Sequence, residues 1–86
     1  MKMEKTLIIS QSYGRVSLHL REIMDARGIN RNELARSVNV RFEVIDRWYR
    51  GDVEKLDLDI LARLCFVLDC TPEALLRYEP PKSEPG

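Results

Sequence analysis

The stretch Asn30 to Gly51, NRNELARSVNVRFEVIDRWYRG, decides the fold. Leu34, Ala35 and Val38 recur at i, i+1 and i+4, the spacing of one apolar face on a helix. Ile45 and Trp48 give a second helix a matching face. Asn39 follows the last apolar residue of the first helix, where a left-handed residue ends it, and Asn is the commonest substitute for Gly there. Asn30 with Glu33 forms an N-x-x-E start signal, a variant of the capping box. Ala35 supplies a small side chain where two helices crossing near a right angle come closest; anything larger would push them apart. Gly51 supplies the stop. The sequence thus predicts two short helices joined by a tight turn, the second able to lie in a DNA groove.

Working outward, Val16, Leu18 and Leu20 alternate with Ser17 and His19, a strand period, while Leu20, Ile23, Met24 and Arg27 repeat as a helix. A short strand should therefore pass into a first helix that ends at Gly28, with Ile29 as the apolar contact beyond a Gly-stopped helix. After a loop at Asp52 to Lys55, Asp57 caps a fourth helix whose Leu61, Leu64, Cys65 and Leu68 face the core. Thr71-Pro72-Glu73 opens a short fifth helix through Leu76, with a capping hydroxyl, Pro in the first turn and an acid near the positive helix end. Arg77-Tyr78-Glu79 reads as a strand able to pair with Arg15 to Ser17, either clamping the ends of one domain or joining two subunits. Residues 1–14 read as a flexible arm, in which Thr6 to Ile9 suits a strand or an apolar arm equally. Residues 15–79 form the domain, and Pro80 to Gly86, PPKSEPG, a disordered tail.

At 86 residues the chain is one domain with a single modest core and little surface for an elaborate active-site cleft. Its formal net charge is zero, unlike that of a strongly basic nucleic-acid binder. The total hides an asymmetry: Arg15 to Arg50 holds eight arginines against five acids, a balance of +3, whereas Gly51 onward holds four bases against eight acids, a balance of −4. Cys65 and Cys70, five apart, are expected to point in different directions and to behave as small buried hydrophobes in a reducing cytoplasm. Without a C-x-x-C pair or a Cys/His cluster, a zinc site has no support. His19 has no partner acid, thiol or second His at a telling spacing, so neither catalysis nor metal binding is assigned to it. No segment reads as a signal peptide or is long enough to span a membrane.

The segment resembles the Cro- and lambda-repressor-like helix-turn-helix, the XRE family, through Glu33-Leu34-Ala35, Val40, Ile45 and Gly51 at the family spacings. Leu20, Ile23, Met24, Gly28 and Ile29 precede these, and LDLDILARLCFVLDCTPEALL follows, so the likeness runs from about Val16 to Leu76. It implies an all-α, five-helix lambda-repressor-like DNA-binding domain and places the protein in a prokaryotic cytoplasm. Five positions depart from the family pattern. Asn39 replaces Gly, Arg31 replaces Gln, Arg41 takes the Ser/Thr cap position of the second motif helix, and acids appear at Glu43 and Asp46. A cap worth roughly 1 kcal/mol is thereby missing at Arg41 or replaced by something else.

In the major groove, the outward residues of the second helix would be Arg41, Phe42, Glu43, Asp46 and Arg47. Arg47 suits the O6 and N7 of guanine, Phe42 a thymine methyl, and Glu43 the N4 donor of cytosine. Phosphate contacts fall to Asn30, Arg31 and Asn32 at the start of the first motif helix, and to Arg36 and Arg50. On this reading the chain is expected to be a homodimeric transcriptional regulator of double-stranded DNA, with half-sites ~34 Å apart. The competing reading is a protein-interaction module, antitoxin-like or an adaptor, whose helix-turn-helix reads DNA weakly or not at all; zero net charge and the acids of the second helix favour it. No nucleophile–base pair, phosphate loop or cofactor motif suggests an enzyme.

Overall fold

The structure is a computed structural model and describes residues 6–7 and 12–82. Strand β1 (Arg15–Leu18) leads into α1 (Leu20–Arg27), α2 (Arg31–Val38), α3 (Phe42–Arg50), α4 (Leu58–Leu68) and α5 (Pro72–Leu75), and β2 (Leu76–Glu79) closes the chain. The five expected helices are all present. The open choice for the strands is resolved within one chain: β2 runs antiparallel to β1 with Arg15 opposite Glu79, Val16 opposite Tyr78, Ser17 opposite Arg77 and Leu18 opposite Leu76. Of Thr6 to Ile9, only Thr6 and Leu7 are described, and neither is in a strand; Ile8, Ile9 and the tail beyond Lys82 lie outside the described residues.

The core is wholly apolar among the described residues: Leu20, Met24, Leu34, Ala35, Val38, Ile45, Trp48, Leu61, Leu64, Leu68 and Leu75 are buried, and no polar side chain joins them. The principal packing is α2 on α3, with α1 on α3 and α4 on α2 enclosing it. Ala35 sits inside this crossing, as its small size required.

Four helices end in the same way. A left-handed residue (Gly28, Asn39, Gly51 or Asp69) turns the chain, and the next N–H bonds back to the carbonyl five residues earlier. These bonds run from Ile29 to Met24 (3.0 Å), Val40 to Ala35 (3.0 Å), Asp52 to Arg47 (2.9 Å) and Cys70 to Cys65 (3.0 Å). The last one corrects an expectation. Because this motif folds the residue beyond the turn onto the one that it bonds, Cys65 and Cys70 are neighbours rather than divergent. Both are free and half-buried, and burial, then the adjacent Cys65, pushes the Cys70 thiol up from its ordinary value.

Arginines from other elements finish two of these ends. Arg63 of α4 donates to the carbonyls of Val38 (3.0 Å) and Asn39 (3.2 Å), and Arg27 of α1 donates to that of Leu68. At the helix starts, the Asn30–Glu33 capping box is complete, and Asp57 accepts from the N–H groups of Asp59 (2.9 Å) and Ile60 (3.2 Å). Arg41 caps nothing with its side chain, as expected. Thr71 does not cap either, contrary to expectation; the Thr71 carbonyl instead accepts from the Ala74 N–H at 3.0 Å, which closes this four-residue helix.

The β clamp is reinforced at its edges. Gly14 has φ +84°, and a Cβ there would meet the Glu79 carbonyl oxygen at 2.3 Å, so only glycine lets the two ends approach this closely. His19 does have an acid partner, contrary to expectation: Nδ1 lies 3.1 Å from Glu22 Oε1, one helical turn away, and Nε2 lies 2.9 Å from Ser17 Oγ. Arg77 of β2 reaches the other oxygen of Glu22 at 3.2 Å. Hydrogen bonding from His19, aided by Arg77, holds the Glu22 carboxyl below its ordinary value.

Two outcomes follow. Arg41→Ser supplies the absent cap, so its urea midpoint should rise by the equivalent of about 1 kcal/mol with the slope unchanged. Glu22 has a depressed folded pKa, so its contribution is present above its ordinary pKa and lost as pH falls through the folded value. Acid unfolding of Glu22→Gln should accordingly be less steep than that of the parent below pH 4.5, the ordinary value of this group.

Candidate nucleic-acid interface

The start of α2 is a donor-rich end. Its capping box occupies the Asn30 N–H and the Glu33 N–H, at 3.2 and 2.8 Å, which leaves the N–H groups of Arg31 and Asn32 without an intrahelical acceptor. The positive end of the helix dipole lies in the same place. Asn30 contributes its oxygen to the cap, so its side-chain NH2 is the donor that remains for a ligand. Asn32 and Arg36 are exposed.

On α3, Arg41, Phe42 and Glu43 are exposed at the N-terminal end. Beyond them the surface divides. Arg47 is exposed on the side of the Asp52–Asp57 loop, beside a hollow lined by Val44, Trp48 and Val53 and rimmed by acids. Asp46 turns the other way, toward α2. Its side chain is only 21% exposed, and one oxygen pairs with Arg31 while the other accepts from Arg50 at 3.1 Å.

Arg31 is therefore caged. Its guanidinium lies 4.8 Å from the centre of the Tyr49 ring and 5.7 Å from that of Phe42, with the Asp46 carboxylate at its edge. Tyr49 is fixed in turn by a hydrogen bond from its hydroxyl to Asp25 (3.0 Å) and by Arg21, 5.4 Å from its ring centre. Each such cation–ring contact is worth roughly 0.5–1 kcal/mol at an exposed site, comparable to an exposed ion pair, so the cage holds the guanidinium by several weak contacts rather than one strong one. Arg36, Arg41 and Arg47 make no ion pair among the described residues, whereas Arg15, Arg21, Arg63 and Arg77 all do.

Of the ten residues singled out in the sequence, the structure brings Arg31, Phe42, Asp46 and Arg50 into one cluster. Asn30 and Asn32 adjoin it, Arg41 and Glu43 stand at the exposed start of α3, and Arg47 and Arg36 stand apart. Asp46 is not presented outward with the other α3 residues, because two guanidiniums compensate it. Sequence reasoning missed Tyr49, Arg21 and Asp25 as parts of the cluster. A signal existed: Phe42, Asp46 and Tyr49 fall at i, i+4 and i+7, one stripe of α3.

Residues 19–81 match the Cro/C1-type helix-turn-helix DNA-binding domain. The chain belongs to that family. The family is one of DNA-binding domains rather than enzymes, and the left-handed turn and crossed α2–α3 pair are the motif in question. Among solved structures, a candidate DNA-binding protein from Bacteroides fragilis superposes with a TM-score of 0.64 at 17% identity, over 73% of this chain and 100% of that one. The transcriptional regulator VanUg superposes with a TM-score of 0.64 at 21% identity, over 88% of this chain and 100% of that one. At such identities the likeness is one of fold. No curated protein sequence matches the chain. Among the described residues, no helix is long and apolar enough to cross a membrane, and no group of three or more His, Cys, Asp or Glu is arranged to hold a metal ion.

Proposed function

We propose that this chain is a homodimeric, sequence-specific transcriptional regulator of the prokaryotic cytoplasm, with α3 in the major groove and the start of α2 on the adjacent phosphates. The observation that carries the reading is the distribution of the arginines. Arg15, Arg63 and Arg77, remote from the motif, are ion-paired, and Arg27 donates to the Leu68 carbonyl, while Arg36, Arg41 and Arg47 on α2 and α3 have no ion partner among the described residues and Arg31 is held by Asp46 and two aromatic rings. A purely protein-binding fold would have no need to leave three cations of the two motif helices uncompensated.

In this reading Arg47, Arg41, Phe42 and Glu43 meet base edges, and Arg47 donates bidentately to guanine, worth about 1–3 kcal/mol of discrimination. Arg31, Arg36, Arg50, Asn30 and Asn32 meet phosphates, which set register without reading sequence. Asp46 takes a different role from its neighbours on α3. It is a positioning residue that aligns Arg31 and Arg50, since a carboxylate already bonded to two guanidiniums has little capacity left for a base.

Fluorescence anisotropy with selected and random duplexes across a salt series tests the proposal. Four or five phosphates neutralised per subunit should give log K falling with log salt at about −0.9 per contact. Arg31→Ala should shallow that slope by about one unit and weaken all sequences alike, whereas Arg47→Ala should lose the preference for the selected site. No binding at low salt would instead favour a protein partner.

Asp46→Asn separates its two assignments. As a positioning residue, its loss should raise affinity for every duplex, by removing a negative charge from the phosphate side, and narrow the gap between selected and random DNA. A changed base preference at one operator position would make it a reader instead.

A further inference from the structure

One helix end differs from the other three in its chemistry. All four share the left-handed turn and the bond back to the carbonyl five residues earlier, which joins Met24 with Ile29, Ala35 with Val40, Arg47 with Asp52 and Cys65 with Cys70. The chain has two cysteines, and the fold sets both at one turn. Their bulk serves the core, but nothing in the helix-turn-helix uses a thiol.

The spacing permits a covalent bond. The Cys70 nitrogen lies 3.0 Å from the Cys65 carbonyl oxygen. Standard geometry adds about 2.4 Å from that oxygen to its own Cα and about 1.5 Å from that nitrogen to the other, so the two Cα atoms are no more than about 6.9 Å apart, and closer because the path bends. Disulfides join Cα atoms about 4.4–6.8 Å apart. The turn also folds the side chain beyond it onto the one that it bonds. The thiols are near enough for a hydrogen bond between them to be among the causes that push the Cys70 thiol up.

We infer that Cys65 and Cys70 form a reversible redox site, a dithiol that hydrogen peroxide closes to an intramolecular disulfide across the Asp69 turn. The inference stands apart from the DNA reading and fails or holds without it.

Cys65 reacts first, because burial, then the neighbouring sulfur, keeps the Cys70 thiol protonated, and the thiolate is the attacking form. The Cys65 sulfur attacks one peroxide oxygen. The O–O bond breaks, hydroxide leaves and takes a proton from solvent as water, and Cys65 becomes a sulfenic acid. The Cys70 sulfur then attacks the Cys65 sulfur, the S–O bond breaks, and the departing hydroxide carries off the Cys70 proton as a second water. The two thiols together give up two electrons, and peroxide accepts them. A dithiol reductant reopens the bond by exchange. Both cysteines are half-buried at the edge of the core, within reach of so small an oxidant. In a reducing compartment the pair rests as thiols and closes only under oxidant.

Closure has a structural consequence. Asp69 holds φ 50° without being glycine, and α5 and β2 follow directly. Arg27 of α1 reaches the Leu68 carbonyl at the same corner. A Cys65–Cys70 bond fixes this corner and ties the segment that ends in β2, the partner of β1, to α4. Local opening of the clamp is then suppressed.

Exposure of the full chain to peroxide, followed by intact mass, thiol titration and non-reducing electrophoresis, provides the test. The wild type should lose two hydrogens in mass and both thiols while remaining a single chain, at a rate independent of protein concentration and flat in urea below the unfolding transition. Cys65→Ser and Cys70→Ser, checked for folding by circular dichroism, should form only disulfides between chains, at least about tenfold more slowly at micromolar protein. Dimedone should trap a sulfenic acid in Cys70→Ser and not in Cys65→Ser. The closed wild type should melt about 5 °C or more above the reduced form, and dithiothreitol should restore the lower value.

Thiols that survive peroxide in the folded protein, or that pass to sulfinic acid with no bond between them, would overturn the inference. So would a closure rate that rises only as urea unfolds the chain, since the bond would then belong to the unfolded state. A melting point unchanged by closure would overturn the role assigned to the corner.

Discussion

The way α2 ends governs the rest of the DNA-binding half. Asn39, at φ 57°, reverses the chain, and the bond from the Val40 N–H to the Ala35 carbonyl at 3.0 Å pins the turn against the core. Only then can α3 begin two residues later and cross over Ala35, bringing Ile45 and Trp48 onto Leu34 and Val38. A turn one residue longer would rotate α3 by about 100° and carry its buried face away from the core. The same closing motif recurs at three other helix ends, with a difference that matters. Where the two residues that it brings together are Met24 and Ile29, Ala35 and Val40, or Cys65 and Cys70, they pack inward; at α3 they are Arg47 and Asp52, both exposed. The motif that seals the core elsewhere thus presents a cation on α3.

That presentation explains how a chain with no net charge can carry a cationic surface. Ion pairs whose arginines stay exposed contribute modest stability, so under the proposed function Arg31 and Arg50 can exchange the half-buried Asp46 for phosphate oxygens. Meanwhile the aromatic cage keeps the Arg31 guanidinium near its position whichever anion it meets. The entropy of ordering a long flexible side chain, on the order of 2 kcal/mol when fully fixed, is then partly met before a ligand arrives. Asp46 on this view stands in for a phosphate in the unbound protein.

The helices were legible in the sequence because their signals are local. An apolar period, a capping pair such as Asn30 and Glu33, and a left-handed residue each act within one turn of helix. The strand pairing was half legible: the segments could be named, but whether β2 meets β1 of its own chain depends on a close approach at Gly14, which no period reveals. Thr71 shows where a local signal misleads, since a capping residue type is not a capping bond. The misjudged cysteines show the converse, because helical spacing stops applying once the chain turns at Asp69. Within the site, the identities of the exposed arginines could be read directly. Their partners could not, because Asp46, Tyr49 and Arg31 belong to two helices whose relative rotation is set by the core.

Near-neutral charge also bears on the kind of binding to expect under the proposed function. Non-specific attraction to DNA grows with the number of phosphates neutralised, and every cell offers a large excess of non-specific sites. The acids of the C-terminal half, together with Glu43 on α3, lower that background for the whole molecule, while Glu43 beside any base-edge acceptor is repelled. Affinity surrendered in this way is regained where two copies bind one palindrome, since the second half-site is then met at high effective concentration. Under that proposal charge neutrality and pairing are linked: a basic monomer could hold DNA alone, but it would hold nearly all DNA, whereas a neutral chain that acts in pairs gains affinity chiefly where both recognition helices find their bases.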